Sequence, residues 1–461
     1  MFKIDCVPRS SSSGRSLHRR DFLACGVAGM AGLSLPQLLH AQEESALRGI
    51  KTSRKRVILF WLNGGPSHMD TYDMKPAAPS QYRGIWKPIP TNVLGISVSE
   101  LFPLQAKCMD RISIIRSLHH NTADHRPAAH LMLTSYAAGG NERNFQGANP
   151  CIGAVVSKVM QTRTKDLPAY VSIPVAQSID LRPGYFGGSY LGNQHNPFET
   201  DSDPNNDNDN VSGINITKNL SIKDLSDRSK LLSILDHARR DVEQRGRFET
   251  MNRFQQQAFA MLTSPAAREA FDLSRVSQAT RERYGRHTWG QSALLAGRLA
   301  EAGVTFTTVL LDDWDQHFDL EEAMKQHLPK VDQLLSALFT DLWDKGLSDE
   351  VLVVVCGEFS RTPWMNDGRN VANGEVMGAP GRHHWANSMF CLMGGGGIKG
   401  GRIVGATDRL GESPITPGIT PADIHHTIYH CLGIDEKIRF VDHGGRPTPI
   451  ADRGRVLKEL F

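Results

Sequence analysis

The stretch Arg56-Val-Ile-Leu-Phe-Trp-Leu62 is apolar from its second residue to its last, and the polar segment Asn63-Gly-Gly-Pro-Ser-His-Met-Asp-Thr71 follows at once. A short apolar run without alternation is typical of a strand that is covered on both faces of a parallel sheet. The change from apolar to polar at residue 63 predicts that the strand ends there and that a loop begins.

Comparable apolar runs recur along the chain, at 112–118, 169–173, 304–311, 351–356 and 388–393. Helical patterns lie between and beside them, at 126–136, 226–244, 288–302, 320–345 and 421–432. Alternating strands and helices predict an α/β fold, a three-layer α/β/α sandwich with a mainly parallel central sheet. We expect residues 56–461 to form this domain, with an insertion at about 180–285, where an Asp/Asn-rich loop and polar helices break the alternation.

The first 41 residues have the pattern of an export signal. Arg19-Arg20-Asp21-Phe22-Leu23 is similar to a twin-arginine motif, and a weakly apolar run follows it to Leu39. Glycines and Pro36 interrupt that run, so we expect a twin-arginine signal peptide at 1–41, a linker at 42–55 and no stable membrane span. The sequence therefore predicts a periplasmic or secreted protein that is exported folded, with the twin-arginine translocase as its partner during export.

The charge balance argues against a nucleic-acid partner. The 461 residues carry a net charge of +3, and removing residues 1–41 takes away five basic and two acidic residues, which leaves zero. Binding to nucleic acid depends on neutralising phosphates with clustered basic residues, which this chain lacks. The cysteines after the signal are widely spaced and form no CxxC pair, so no disulfide framework is predicted.

Polar clusters follow the apolar runs where the carboxyl ends of strands are predicted. They are 63–71, His119-His-Asn-Thr-Ala-Asp-His125, Asp312-Asp-Trp-Asp-Gln-His317 and Gly357-Glu-Phe-Ser-Arg361, with Gly381-Arg-His-His-Trp385 a loop later. Open α/β sheets bind ligands at this edge. Carboxylates, imidazoles and amide oxygens are ligands of divalent cations, so the clusters indicate a metal centre. Asp315 and His317 are the strongest pair, because alternate residues of an extended segment point to one side.

Four of these segments, in this order behind a twin-arginine signal, resemble the domain-of-unknown-function 1501 family. They are 63–71, Trp314-Asp-Gln-His317, Gly357-Glu-Phe-Ser-Arg-Thr-Pro363 and 381–385. The family belongs to the alkaline phosphatase-like superfamily, and the resemblance runs from about Arg56 to the C-terminus. It implies an alkaline phosphatase-like fold and an exported, metal-dependent hydrolase of phosphate or sulfate esters.

The resemblance also implies metal ligands. The positions that match are Asn63, Asp315, His317, His384 and, near a second metal's ligand, Glu358. The family commonly has Asp where this chain has His383, so His383 and His384 both stay candidates. The implied cofactor is a divalent cation, zinc first, with calcium, magnesium or manganese as alternatives.

The attacking group is less defined. The gapless alignment of the helix at 126–134 with the sulfatase pattern places His125 where the superfamily has its nucleophile, and Thr122 has the only hydroxyl of the loop. Either of them attacks, or a metal-bound water does, or the protein binds anions without turnover. If it is an enzyme, Arg361 or Arg382 would stabilise the developing charge on a small-molecule or polysaccharide ester. The alternative is a non-catalytic metal- or anion-binding protein.

Overall fold

In a computed structural model of the chain, the structure describes residues 54–138, 148–160, 166–206, 264–369 and 373–461. The predicted signal peptide at 1–41, most of the linker at 42–55 and the helix predicted at 226–244 lie outside these ranges. None of the helices within them is both long and apolar enough to cross a membrane.

The strands of the described residues are, in chain order, β1 Arg56–Leu62, β2 Pro88–Pro90, β3 Ser97–Ser99, β4 Ser113–Leu118, β5 Tyr170–Ile173, β6 Phe198–Glu199, β7 Phe306–Leu311, β8 Val351–Cys356, β9 Ser360–Arg361, β10 His384–Trp385, β11 Met389–Gly395, β12 Arg402–Val404, β13 Arg439–Val441 and β14 Pro447–Pro449. Eight of them form the central sheet in the order β12-β4-β11-β8-β1-β7-β5-β6. All neighbours in it are parallel except β11, which is antiparallel to β4 and β8. The predicted, mainly parallel sheet is confirmed.

The helices of the described residues are α1 His125–Thr134, α2 Ile152–Met160, α3 Pro265–Phe271, α4 Gln278–Tyr284, α5 Thr288–Ala302, α6 Leu320–Asp344 and α7 Pro421–Leu432. Sequence signals explain several of their ends. Thr420 and Asp423 form a capping box at the start of α7, and Gly303 in the left-handed conformation ends α5.

Two apolar layers flank the central sheet. Phe60 of β1 packs in the layer that contains Leu335 of α6, whereas its neighbour Trp61 packs with Val155 of α2 and Ile428 of α7. Successive strand residues point to opposite faces, so one continuously apolar strand serves both layers. The predicted three-layer α/β/α sandwich is therefore confirmed.

The region predicted as an insertion is described at 180–206 and 264–285. It adds the edge strand β6 beside β5, and α3 and α4. The cysteines of the described residues are all free and buried; they are Cys108, Cys151, Cys356, Cys391 and Cys431.

Candidate metal centre

The loops after β1, β4, β7 and β8 meet at one edge of the sheet. β1 pairs in parallel with β7 and β8. β4 runs in the same direction, because β4 and β8 are both antiparallel to the β11 strand between them. The carboxyl ends of these four strands therefore share the edge where open α/β sheets bind ligands.

Two of these loops pack backbone to backbone. Gly64 has a φ of +114°, and a Cβ at this position would lie 2.7 Å from the backbone nitrogen of Asp315. Glycine alone combines this conformation with such a close approach. The loop after β1 therefore fixes the height of the Asp315 backbone above the sheet.

The Asp315 carboxylate is the centre of the site, and its side chain is 47% exposed. Its Oδ1 lies 3.1 Å from His317 Nε2, 3.2 Å from His384 Nε2 and 2.6 Å from Arg361 Nη2. Its Oδ2 lies 3.2 Å from His125 Nε2. Although burial opposes ionisation, the hydrogen bonds from His125 and His317 and the nearby guanidinium of Arg361 hold the pKa of Asp315 far below its usual range. The carboxylate is therefore ionised and surrounded by nitrogen atoms.

His384 has its hydrogen on Nδ1, which leaves Nε2 as an acceptor. Its Nδ1 lies 2.7 Å from the carbonyl oxygen of Ala123, which only accepts, so Nδ1 has the hydrogen. Burial lowers the pKa of His384 despite the nearby Asp315, which keeps the ring neutral. The bare Nε2 then lies 2.8 Å from Nε2 of His317.

His125, the first residue of α1, is held between two carboxylates. Its Nδ1 lies 2.8 Å from Glu358 Oε1, and its Nε2 lies 3.2 Å from Asp315 Oδ2. Burial alone would lower its pKa, but the two carboxylates outweigh burial and raise the pKa of His125 to about 9. The site thus concentrates negative charge, which a proton on His125 or a bound cation would neutralise.

The donor set fits a divalent cation. One ligand atom each of His125, Asp315 and His384 lies within 4.8 Å of the others. His317 adds a fourth, 2.8 Å from His384 Nε2 and 3.1 Å from Asp315 Oδ1. Three imidazoles and one carboxylate are a ligand type that zinc accepts at about 2.0–2.2 Å. The predicted neighbours Asp315, His317 and His384 do meet, and His125 joins them.

Glu358 lies behind His125 and is fully buried. Its Oε1 accepts hydrogen bonds from the backbone nitrogen of Gly64 at 2.9 Å and from His125 Nδ1. Its Oε2 is buried and has no partner among the described residues. A buried carboxylate oxygen needs a partner, such as an ordered water or a cation. Coordination of a second metal by Glu358 stays a prediction.

Arg361 is fully buried and binds the two loops that meet at the site. Its Nε donates to the Gly65 carbonyl oxygen at 2.8 Å, and its Nη2 donates to the carbonyl oxygens of Gly64 and Trp314 and to Asp315. These contacts hold Asp315 in place. They give no support to the role predicted for Arg361 in stabilising charge on a substrate.

Arg382 has a structural environment, which gives no support to its predicted role in stabilising a substrate's charge. Its guanidinium and the carboxylate of Asp70 are both fully buried. Nε donates to Asp70 Oδ2 at 2.8 Å, Nη1 donates to the carbonyl oxygens of Thr362 and Pro363, and Nη2 lies 3.2 Å from that of Arg83. Every nitrogen of the guanidinium is occupied, so none is left for a substrate.

Two other predicted residues lie beside the cluster rather than in it. Asn63 donates from Nδ2 to Asp312 Oδ1 at 2.8 Å, and its Oδ1 accepts from Trp61 Nε1 at 3.2 Å and from the Ile179 backbone at 2.9 Å. Its amide is therefore tied to the loops around β1, and its role as a metal ligand stays a prediction without a supporting contact. Thr122 precedes the carbonyl group that holds His384, and its backbone nitrogen lies 3.3 Å from His120 Nδ1.

The family model described as a protein of unknown function, DUF1501, matches residues 54–461. The chain belongs to the DUF1501 family. No curated protein matches this DUF1501 chain by sequence.

Solved structures similar to the chain include sulfatases and alkaline phosphatases. The lipoteichoic acid synthase from Listeria monocytogenes shares 11% identity, covers 86% of this chain and 79% of its own, and has a TM-score of 0.34. A sulfatase from Pseudoalteromonas sp. shares 11% identity and has a TM-score of 0.37, and the match covers 85% of this chain and 72% of the sulfatase. The alkaline phosphatase from the Antarctic bacterium TAB5 shares 10% identity and has a TM-score of 0.32, and the match covers 83% of this chain and 99% of the phosphatase. Similarity this distant assigns no activity to the chain.

Sequence reasoning did not assign a role to His120. Its ring is buried, and its Nε2 lies 2.6 Å from the backbone carbonyl oxygen of Glu358. Burial lowers the pKa of His120 to about 4, so the ring is neutral and donates to that carbonyl group. The doublet His119-His120 at the end of an apolar run was a signal for a residue of this kind. The Ala123 carbonyl group gave no such signal, because any residue carries one.

Proposed function

We propose that this DUF1501 chain is a metal-dependent hydrolase of phosphate or sulfate esters. Its cation would be held by the Nε2 atoms of His125, His317 and His384 and by the carboxylate of Asp315. The observation that carries the proposal is the convergence of these imidazoles on both oxygens of one ionised carboxylate. The four side chains are 17% to 47% exposed, so a substrate can reach them from solvent.

The chain's own residues would orient the ligands, each through the atom that faces away from the cation. Glu358 holds Nδ1 of His125, and the Ala123 carbonyl group holds Nδ1 of His384. Such outer contacts fix ring orientation and tautomer. A divalent cation held there would polarise an ester oxygen and lower the pKa of a neighbouring water.

The surroundings of His125 favour water as the attacking group. Both ring nitrogens of His125 face a carboxylate oxygen, so neither is free to attack a phosphorus or sulfur atom. Thr122 is the remaining side-chain candidate, since its hydroxyl lies on the loop beside His384. A Thr122→Val variant separates the two: turnover that persists points to water, and turnover that disappears points to the hydroxyl.

The substrate class and the location belong to the same proposal. The ester is a phosphate or sulfate ester of a small molecule or a polysaccharide, as the motifs shared with the superfamily imply. The paired Arg19-Arg20 supports export through the twin-arginine route to the periplasm or beyond. A fusion of residues 1–41 to a reporter that requires folded export tests this part, with Arg19→Lys/Arg20→Lys as the control.

The test of the activity is metal content measured together with turnover. Purified mature protein is expected to hold at least one divalent ion per chain by elemental analysis and to hydrolyse an aryl phosphate or an aryl sulfate. Asp315→Ala is expected to lose both the ion and the turnover. Turnover that persists in the ion-free variant would show that the activity belongs elsewhere.

A second function, binding of a metal or an anion without catalysis, is favoured by one observation. His125 occupies the start of α1, where the superfamily has its nucleophile, and it is held there as a partner of two carboxylates. Wild-type protein that holds the ion yet hydrolyses neither ester would select this function over the hydrolase.

A further inference from the structure

We infer that His383 is a positioning residue rather than a metal ligand. It fixes the ring of His317 by a hydrogen bond to Nδ1, the nitrogen of His317 that faces away from the proposed cation. The inference rests on the proposed metal centre. It starts from an unusual arrangement, in which both ring nitrogens of His317 face another imidazole. Its Nδ1 lies 2.8 Å from His383 Nδ1, and its Nε2 lies 2.8 Å from His384 Nε2.

The positions of the hydrogens follow from these distances. Two ring nitrogens at 2.8 Å share one hydrogen, because one must donate and the other accept. His384 has its hydrogen on Nδ1, facing the Ala123 carbonyl group, so the shared hydrogen lies on Nε2 of His317. Nδ1 of a neutral His317 is then bare, and Nδ1 of His383 donates to it.

Holding a cation requires His317 to change tautomer. The hydrogen on its Nε2 must leave that atom, and a neutral ring then has its hydrogen on Nδ1. That hydrogen needs an acceptor, and Nδ1 of His383 is the atom in place at 2.8 Å. In a balanced exchange, the hydrogen between the two Nδ1 atoms crosses from His383 to His317, the hydrogen on His317 Nε2 goes to solvent, and solvent supplies one to His383 Nε2. His383 is only partly buried, so this new N–H donates to water rather than to Asn366, whose nearby Nδ2 is itself a donor.

The surroundings of His383 are unsuited to a second ion. Besides His317, the polar side-chain atom within hydrogen-bond distance of its ring, in the described part of the chain, is Nδ2 of Asn366, a donor, 3.4 Å from Nε2. The Oδ1 atom of Asn366 already accepts from the backbone nitrogens of Gly368 and Gly381, both at 3.0 Å. Among the described residues, the ionic contacts of the Asp315 carboxylate are with His125, His317, His384 and Arg361, and His383 is not one of them.

The backbone around His383 is rigid enough for a positioning role. Its nitrogen donates to Thr362 Oγ1 at 3.1 Å, and its carbonyl oxygen accepts from the Thr362 nitrogen at 2.8 Å. Asn366 also donates to the carbonyl oxygen of His317 at 2.7 Å, which links the two histidine segments. The His383 ring is therefore fixed relative to His317 before any ligand arrives.

The experiment compares His383→Phe with His383→Asn in the full mature chain. Calorimetric titration with Zn²⁺ is expected to give a Kd about 10–100-fold weaker for His383→Phe, the usual cost of losing an outer partner of a metal ligand. His383→Asn offers an amide oxygen to His317 Nδ1 and is expected to recover most of the affinity. His443→Phe, which replaces an exposed histidine, is the matched control and is expected to bind as the wild type does.

X-ray absorption of the zinc-loaded proteins supplies the readout that a merely structural role would not move. The number of imidazoles around the ion is expected to be the same in wild type and His383→Phe, and lower by one in His384→Phe. An imidazole lost in His383→Phe would make His383 a ligand, and unchanged affinity in both His383 variants would reduce it to a structural residue. A wild type that binds no zinc would instead refute the proposed metal centre itself.

Discussion

Two buried arginines lie within one segment of this chain, and each faces an aspartate in a different way. Arg382 meets Asp70 with both side chains fully buried, whereas Arg361 meets Asp315, whose side chain is 47% exposed. Asp70 also accepts from Ser67 Oγ at 2.5 Å and from the Ile85 backbone at 2.9 Å, so protein groups occupy both of its oxygens.

The difference between the pairs is what each carboxylate has left to offer. Asp70 is saturated by neutral donors and one guanidinium, so it can only support the fold. The oxygens of Asp315 face the Nε2 atoms of three histidines at 3.1 to 3.2 Å. An ionised carboxylate attracts a cation, and imidazole nitrogens bind one once their hydrogens have left. The same two residue types therefore build a structural pair in one place and part of the proposed metal centre in the other.

The largest expected effect is on the fully buried pair, Arg382 and Asp70. Arg382→Met leaves Asp70 buried without its cation, and the free energy of unfolding is expected to fall by about 3–5 kcal/mol. Urea unfolding followed by circular dichroism measures this loss. The double variant Asp70→Asn/Arg382→Met, which removes both charges, is expected to be more stable than the single one. A loss below about 1 kcal/mol in Arg382→Met would show that this pair behaves like a solvent-exposed ion pair.

Zinc is expected to stabilise the protein only through the partly exposed pair, Arg361 and Asp315. At a free concentration of about 100 times Kd it should raise the free energy of unfolding of the wild type by about 2.7 kcal/mol. Arg382→Met should show the same increment on its lower baseline, whereas Asp315→Ala should show none. Unfolding curves with zinc and with a chelator give the increments. An equal increment in Asp315→Ala would place the ion outside the proposed centre.

Asp315→Asn tests the contribution of the Arg361–Asp315 pair to the stability of the metal-free protein. The amide oxygen still accepts a hydrogen bond from Arg361, and solvent reaches the side chain, so the expected loss is about 1–3 kcal/mol, less than for Arg382→Met. Urea unfolding in the presence of a chelator measures it. If the two variants lost equal stability, exposure would not be what separates the pairs.

An exposed arginine–aspartate pair completes the series. Arg126 Nη2 lies 2.5 Å from Asp180 Oδ2, with side chains 40% and 56% exposed. Water and salt screen such a pair, so Arg126→Ala is expected to leave the unfolding midpoint within experimental error. A clear shift in that midpoint would mean that burial does not order the three pairs.

The sequence predicted the strands well because their burial on both faces leaves a local mark. The runs at 351–356 and 388–393 became β8 and β11. The antiparallel direction of β11 depends on a long-range pairing that no local pattern records. Helix α2 was not predicted, because its valines and glycine in Ile152–Met160 are poor helix formers, and packing against the sheet overrides that preference.

The site was predictable to the extent that chain geometry alone places its atoms. The alternation of Asp315 and His317 along one segment correctly indicated that they meet. The burial of Arg382 could not be read from its neighbours in sequence, because its partner Asp70 lies 312 positions away. His125 was expected near the site, but its two carboxylate partners come from β7 and β8 loops whose spacing only the fold determines.

The contact between Gly64 and the Asp315 backbone makes position 64 sensitive to any side chain. A Cβ at position 64 would lie 2.7 Å from that backbone nitrogen, so one additional carbon atom there would displace Asp315 while β1 kept its partners. The residue displaced would be Asp315, the carboxylate at the centre of the proposed metal site. A single substitution at position 64 would therefore disturb the Asp315 carboxylate and leave the apolar layers of the sandwich in place.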